Sequence, residues 1–283
     1  MPSDGYYTAR MLATGYFASR GIGVRLAPTA GNAQGELLDG ATLLWLETPS
    51  NPGLDVCDLA EFIAAAHQRG TLVAVDNTTA TVLGQQPLEL GADFSVSSDT
   101  KTLTGHGDLM LGHVAAYESS WVEQLHAFRS QQGAVAGPME VWLAHRSLAT
   151  LDMRLERQCK NALEIAQFLA SHSAVRLVRY PGLSQDPAHA IASRQMKRYG
   201  PVVSFVLEGQ DQAEQCLEAC RLILQATSFG GIHTTAEWRA RWGGDAIPEG
   251  FIRLSAGCED IQDLLEDLAQ ALAAVSTVKR HHS

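Results

Sequence analysis

Residues 71–101 read TLVAVDNTTATVLGQQPLELGADFSVSSDTK. The runs "TLVAVDN" and "ADFSVSS" are short, rich in β-branched or aromatic residues and separated by turn formers, so they read as two strands. The first ends on Asp76, and Lys101 follows the second. In open α/β sheets the crevice outside the carboxyl ends of the strands takes the ligand. An acid and a lysine placed there are expected to face one crevice.

Working outward, "ATLLWLET" reads as another strand, "DVCDLAEFIAAAHQRG" as a helix stopped by Gly70, and "LMLGHVAAY" as a fourth strand. Strands alternating with helices imply a mostly parallel sheet flanked by helices. After "GAVAGPMEVWL" the apolar spacing becomes helical and predicts one long stretch to about Leu169 that bridges two domains. Beyond it come the strand "VRLVRY", a helix around "AHAIASRQMKRYG", the strand "VVSFVLEG", the helix "QAEQCLEACRLIL", the strand "FIRLSAG" and the closing helix "DIQDLLEDLAQALAAV". The expected organisation is an α/β protein with a larger domain over residues 1–145 and a smaller C-terminal α/β domain over 146–283.

At 283 residues, 46% of them hydrophobic, the chain has ample core-forming material. A formal net charge of -10 argues against nucleic-acid or anionic-membrane surfaces, which need clustered Lys and Arg. The five cysteines (Cys57, Cys159, Cys216, Cys220, Cys258) form no CxxC pair, so neither a disulfide framework nor a metal site is expected. "MPSDGYYTARMLATG" has no basic region followed by an apolar one, and the expected location is cytoplasmic. His281 and His282 read as part of a frayed tail.

The candidate chemistry starts at Lys101, set among hydroxyls in "SSDTKTLTGHGD". Taken alone it reads as a surface cation in a turn, the commoner case, and Asp76 as a cap of the "DNTT" turn. Taken together, they suit pyridoxal 5'-phosphate: an amine to join the cofactor, an acid to keep the pyridine nitrogen protonated, and hydroxyls to hold phosphate.

The order and spacing of "LETPSNPGLDVCDL", "VAVDNTTATVLGQQPLELGADFSVSSDTKTLTGHGDLMLG", "YPGL" with "RQMKRYGPVVSF", "SFGG" and "FIRLSAGCEDIQDLLEDLAQAL" resemble, nearly end to end, the pyridoxal-phosphate enzymes of Cys/Met metabolism. That family includes cystathionine γ-lyase, γ-synthase and β-lyase. The resemblance implies the fold-type-I, aspartate aminotransferase-like architecture. It implies that Lys101 is the Schiff-base lysine and that Asp76 is the partner of the ring nitrogen. Ser98 and Thr100 match the phosphate hydroxyls, and Asn51 a residue near the phenolic oxygen and the substrate carboxylate. Arg253 matches the arginine that grips the α-carboxylate, beside Ser228. Tyr6 matches the tyrosine that stacks on the ring, although "YY" stands where the family has "YGG", so Tyr7 stays open.

Two departures qualify these assignments. His233 stands two positions after "SFGG", where the family commonly carries an acidic or aromatic residue that helps choose the substrate side chain. The family's leading segment, with its glycine-rich phosphate loop and Y-x-R arm, has no counterpart here, and "GIG" at 21–23 does not replace the loop. The resemblance implies cleavage of cystathionine to cysteine, 2-oxobutyrate and ammonia, with a sulfur amino acid as substrate and a homo-oligomer, a dimer of dimers in the family, as assembly. γ-Replacement as in a synthase, a lysine aldolase, and an impaired form that only associates with other subunits are the alternatives.

Overall fold

The computed structural model describes residues 1–244 and 246–278. Strands β1 (Leu43–Glu47), β2 (Leu72–Asp76) and β3 (Phe94–Ser98) run parallel, and β4 (Gly112–Ala115) closes the sheet antiparallel to β3. The reversal at β4 has a simple cause. A parallel return needs a crossover, usually a helix, whereas here the chain turns back through the 99–111 loop. Register places Glu47 directly beside Asp76 at the shared carboxyl end.

The helix over Leu59–His67 buries Leu59, Phe62, Ile63 and Ala66, the i, i+3, i+4, i+7 set, against Leu44, Leu46, Val73 and Val75. Each large side chain so buried contributes about 1.5–3 kcal/mol relative to exposure. The side chain of Asp58 caps it by accepting the Glu61 N–H at 3.1 Å, and Gly70 ends the turn beyond it at φ +67°. Residues Tyr7–Arg20 form a helical run with no buried residue.

The single long helical stretch expected after Leu143 is instead two helices, Pro138–Leu148, which begins earlier, and Leu151–Ser171; a helix over Ser119–Gln132 that the sequence pattern did not suggest precedes them. The break lies at Thr150, which leaves the helical region (φ -113°, ψ 4°). Its N–H bonds Ser147 O, three residues back and not four, while its hydroxyl also donates to Ser147 O and accepts from Arg154 Nε.

A second sheet holds β5 (Leu177–Arg179), β6 (Val202–Val206), β7 (Leu224–Gln225), β8 (Thr235–Trp238) and β9 (Phe251–Ser255), in the order β5-β6-β9-β8-β7. All its pairings are antiparallel except β7 with β8. Helices Leu151–Ser171, Gln210–Ala219 and Ile261–Val278 pack a core of Ile165, Leu169, Phe205, Leu254, Leu268 and Leu272 on it. The sheets meet where Leu54, Val202 and Phe229 cluster, where Ser204 Oγ donates to Pro52 O at 2.8 Å, and where Arg179 pairs with Asp55 at 2.8 Å.

The five cysteines are unpaired. Among the described residues no group of His, Cys, Asp and Glu could hold a metal, and no helix is long and apolar enough to cross a membrane. His281 and His282 lie outside the described residues.

Candidate active site

A cavity of about 810 Å³ opens at the carboxyl ends of β1, β2 and β3 and is closed on its far side by residues 227–229, 239, 242–243 and 253. It is lined by Tyr6, Tyr7, Asn51, Asp76, Ser98, Thr100, Lys101, Ser228 and Arg253, among others. All but one of the residues expected at the site from the sequence therefore converge there. His233 does not: its side chain is 71% exposed and faces Glu259, with 3.8 Å between Nδ1 and Oε1. Glu259 accepts the Thr234 N–H and hydroxyl, both at 2.7 Å, which fixes the backbone so that His233 turns outward.

Lys101 Nζ donates to Ser228 Oγ at 3.1 Å and lies 5.1 Å from the centre of the Phe229 ring. Burial lowers its ammonium pKa, and the nearby Arg253 charge lowers it further against the opposing pull of Glu237. Arg253 is buried at 4% exposure; its Nη1 donates to Asn51 Oδ1 at 2.7 Å and its Nη2 to Thr227 O at 2.5 Å and to Glu237 Oε1 at 2.7 Å.

Asp76 Oδ1 accepts from the Thr78 N–H at 3.0 Å and the Thr78 hydroxyl at 2.5 Å; that hydroxyl in turn accepts the Ser98 N–H at 2.9 Å. Next to it, Glu47 accepts the N–H groups of Tyr6 at 2.6 Å and Asn51 at 2.9 Å. Burial raises both carboxyls, and the neighbouring Asp76 charge helps push Glu47 up to about 8. Thr100 Oγ1 is committed to Leu111, donating to its O at 3.2 Å and accepting its N–H at 2.9 Å.

A family model described as "Cys/Met metabolism PLP-dependent enzyme" matches residues 1–273. The chain belongs to that family. A Streptomyces coelicolor protein, provisionally named a cystathionine gamma-lyase, is 57% identical over 272 residues, covering 96% of this chain and 69% of its own length. The Dictyostelium discoideum cystathionine gamma-lyase is 41% identical, and the match spans 83% of this chain but only 63% of that protein. The structure of cystathionine gamma synthase from Xanthomonas oryzae pv. oryzae in complex with cystathionine superposes with a TM-score of 0.94 at 33% identity, covering 98% of this chain and 75% of that one. The fold is therefore the fold-type-I architecture of pyridoxal-phosphate enzymes, and pyridoxal phosphate is the family's cofactor.

The residues present suit that cofactor. The donor set combines an amine of lowered pKa, a buried carboxylate and hydroxyls around a cavity of the size small-molecule sites have. The indole N–H of Trp45, on the cavity wall, is buried without a partner, a donor the protein itself does not satisfy.

Sequence reasoning missed Glu47, Thr78, Phe229, Glu237, Arg239 and Trp242. Glu47 lay in the quoted "LETPSNP", and its signal was an acid ending a strand expected to run parallel to that of Asp76. Glu237 left no such signal, because "TTAEW" is too short and too polar to mark β8 as a strand.

Proposed function

We propose that the chain carries the active site of a cystathionine γ-lyase-like enzyme, cleaving the C–S bond of cystathionine to give cysteine, 2-oxobutyrate and ammonia. The observation that carries this reading is that Lys101, Asp76 and Arg253 line one cavity although they come from positions 25 and more residues apart. Residues 1–145 would hold the cofactor, and residues 146–283 would supply the substrate clamp.

Lys101 would join the cofactor, Asp76 would face its ring nitrogen, Tyr6 or Tyr7 would cover the ring, and Ser98 and Thr100 would hold its phosphate. With its only proton committed to Leu111, Thr100 is left to accept, so Ser98 is the stronger candidate donor. When bound, the cofactor supplies an electron sink for negative charge at the substrate α-carbon. Arg253 grips the α-carboxylate with a fork that Asn51, Thr227 and Glu237 already orient. A lysine of lowered pKa is neutral more often near pH 7, so the Lys101 amine would take the α-proton, pass it on, and then remove a proton from the β-carbon. The electron pair left at the β-carbon would expel the thiolate from the γ-carbon, the thiolate would take up a proton to become cysteine, and water would hydrolyse the remaining four-carbon unit to 2-oxobutyrate and ammonia.

A γ-synthase is the second reading, favoured by the close superposition on the Xanthomonas oryzae synthase. The working form is proposed as a homo-oligomer, because Met11, Tyr16, Phe17, Phe128, Trp142 and Met153 are exposed and extended apolar surface marks association. The test is to supply cofactor and cystathionine and assay 2-oxobutyrate and free cysteine. Both products support the lyase. Cystathionine formed instead from cysteine and an activated homoserine ester supports the synthase. No cofactor uptake would leave only the association role.

A further inference from the structure

Glu237 sits in β8 directly opposite Arg253 of β9, and its side chain is fully buried. A buried carboxylate is costly unless paired and hydrogen-bonded, and both oxygens here are engaged. Oε1 accepts from Arg253 Nη2 at 2.7 Å and from Arg239 Nη1 at 3.2 Å, and Oε2 accepts the Trp242 indole N–H at 3.2 Å. The donors occupy different stations. Arg253 is the clamp, whereas Arg239 and Trp242 begin and end the 3-10 turn Arg239–Trp242, and both line the cavity beside Gly243. Trp242 is 57% exposed; its ring lies under the Arg241 guanidinium, 4.9 Å from the ring centre, and its indole N–H is tethered to Glu237.

We infer that Glu237 is a positioning residue that locks the carboxylate clamp and the 239–243 wall into one unit, making Trp242 specificity-determining for the part of an amino-acid substrate beyond its α-carboxylate. The inference rests on the reading above that Arg253 takes that carboxylate. An indole makes favourable contacts with a thioether sulfur, so the wall suits amino acids with a thioether side chain over short ones. Loosening Glu237 releases clamp and wall together, and removing only the indole N–H releases the wall alone.

The cofactor-loaded protein is titrated with L-alanine, too short to reach the wall, and with the thioether amino acid L-ethionine, each Kd being read from the shift of the visible cofactor band. Trp242→Phe is expected to raise the Kd for ethionine at least fivefold and to leave that for alanine within twofold. Glu237→Gln is expected to raise both at least tenfold. An effect of Trp242→Phe equal for the two ligands, or an unchanged alanine Kd in Glu237→Gln, overturns the inference. A second measurement needs no cofactor: the 15N-indole resonance of Trp242, identified by its loss in Trp242→Phe, is expected to move in Glu237→Gln and in Arg253→Lys. A resonance unmoved in both overturns the coupling. A resonance that moves in a protein showing no visible band on cofactor addition supports the coupling and shows that the reading of the site has failed. Should Glu237→Gln not fold, the ligand comparison in Trp242→Phe and the indole shift in Arg253→Lys decide alone.

Discussion

The half-buried Lys101 and the buried Glu47 are titratable groups whose pKa values are displaced in opposite directions, and each makes a prediction. Lys101 lines a cavity and makes one side-chain hydrogen bond, to Ser228, so Lys101→Ala is expected to abolish turnover and the visible cofactor band while shifting the denaturation midpoint little. Retained turnover would remove the lysine from the chemistry. Glu47 holds its proton up to about pH 8 in the folded chain and releases it near 4.5 when unfolded. Between those values the folded state binds the extra proton, so this group's contribution to stability is present at low pH and is lost as pH rises towards 8. The slope is at most about 1.4 kcal/mol per pH unit for one proton. Glu47→Gln sacrifices an acceptor at every pH but removes the titration. Denaturant midpoints at pH 5, 6.5 and 8 are therefore expected to fall less steeply in the variant than in the parent, and parallel trends would show that Glu47 does not hold the proton. Glu47 was hidden from the sequence because its importance is a matter of register: an acid at a strand end matters only when pairing sets a second acid beside it.

Between elements, the segment carrying Lys101 is fixed from two directions. Arg154, in the helix Leu151–Ser171, donates from Nη1 to Thr102 O and from Nη2 to Leu103 O and Ser147 O, each at 3.0 Å. From the other side Gly230, at φ +83°, presses its backbone on Thr102, and a Cβ there would lie 2.3 Å from Thr102 Oγ1 and 2.5 Å from Thr102 N. Gly230→Ala combines a left-handed backbone with an overpacked contact that backbone cannot relieve, and is expected to cost about 2–4 kcal/mol. Guanidinium titration measures this, and an unchanged midpoint would show that the loop does not rest on Thr102. The strand ending on Asp76 and the strand leading into Lys101 were legible because short apolar runs announce buried strands. The antiparallel direction of β4, the break at Thr150 and the short β8 were not, because each is decided by loop length or by long-range pairing and none by local pattern. His233 shows the same limit: its offset from "SFGG" placed it in the site, whereas the hold of Glu259 on Thr234 turns it away.

For the whole molecule, the helical run Tyr7–Arg20 and the helix Ser119–Gln132 bury no side chain, while the run carries Met11, Tyr16 and Phe17 and the helix Phe128 in exposed positions. Sedimentation at micromolar concentration is expected to give a dimer or larger species, and Met11→Glu with Phe17→Glu is expected to shift it towards monomer; a monomeric parent would refute the assembly. One further consequence follows from the strand order β5-β6-β9-β8-β7. The strand in the middle of the second sheet is the last strand to be synthesised, and it carries Arg253, whose bond to Asn51 reaches back 202 residues. Until β9 emerges, β6 and β8 have nothing between them, so a nascent chain shows two unpaired strand edges, that of β6 strongly apolar, an arrangement open to sticking to its neighbours. Such non-local closure is slow, and the proposed substrate clamp comes into being only when the sheet is completed. A ribosome stalled before Phe251 would therefore display a chain already holding Lys101 and Asp76 yet still without Arg253, the residue proposed to grip the amino acid.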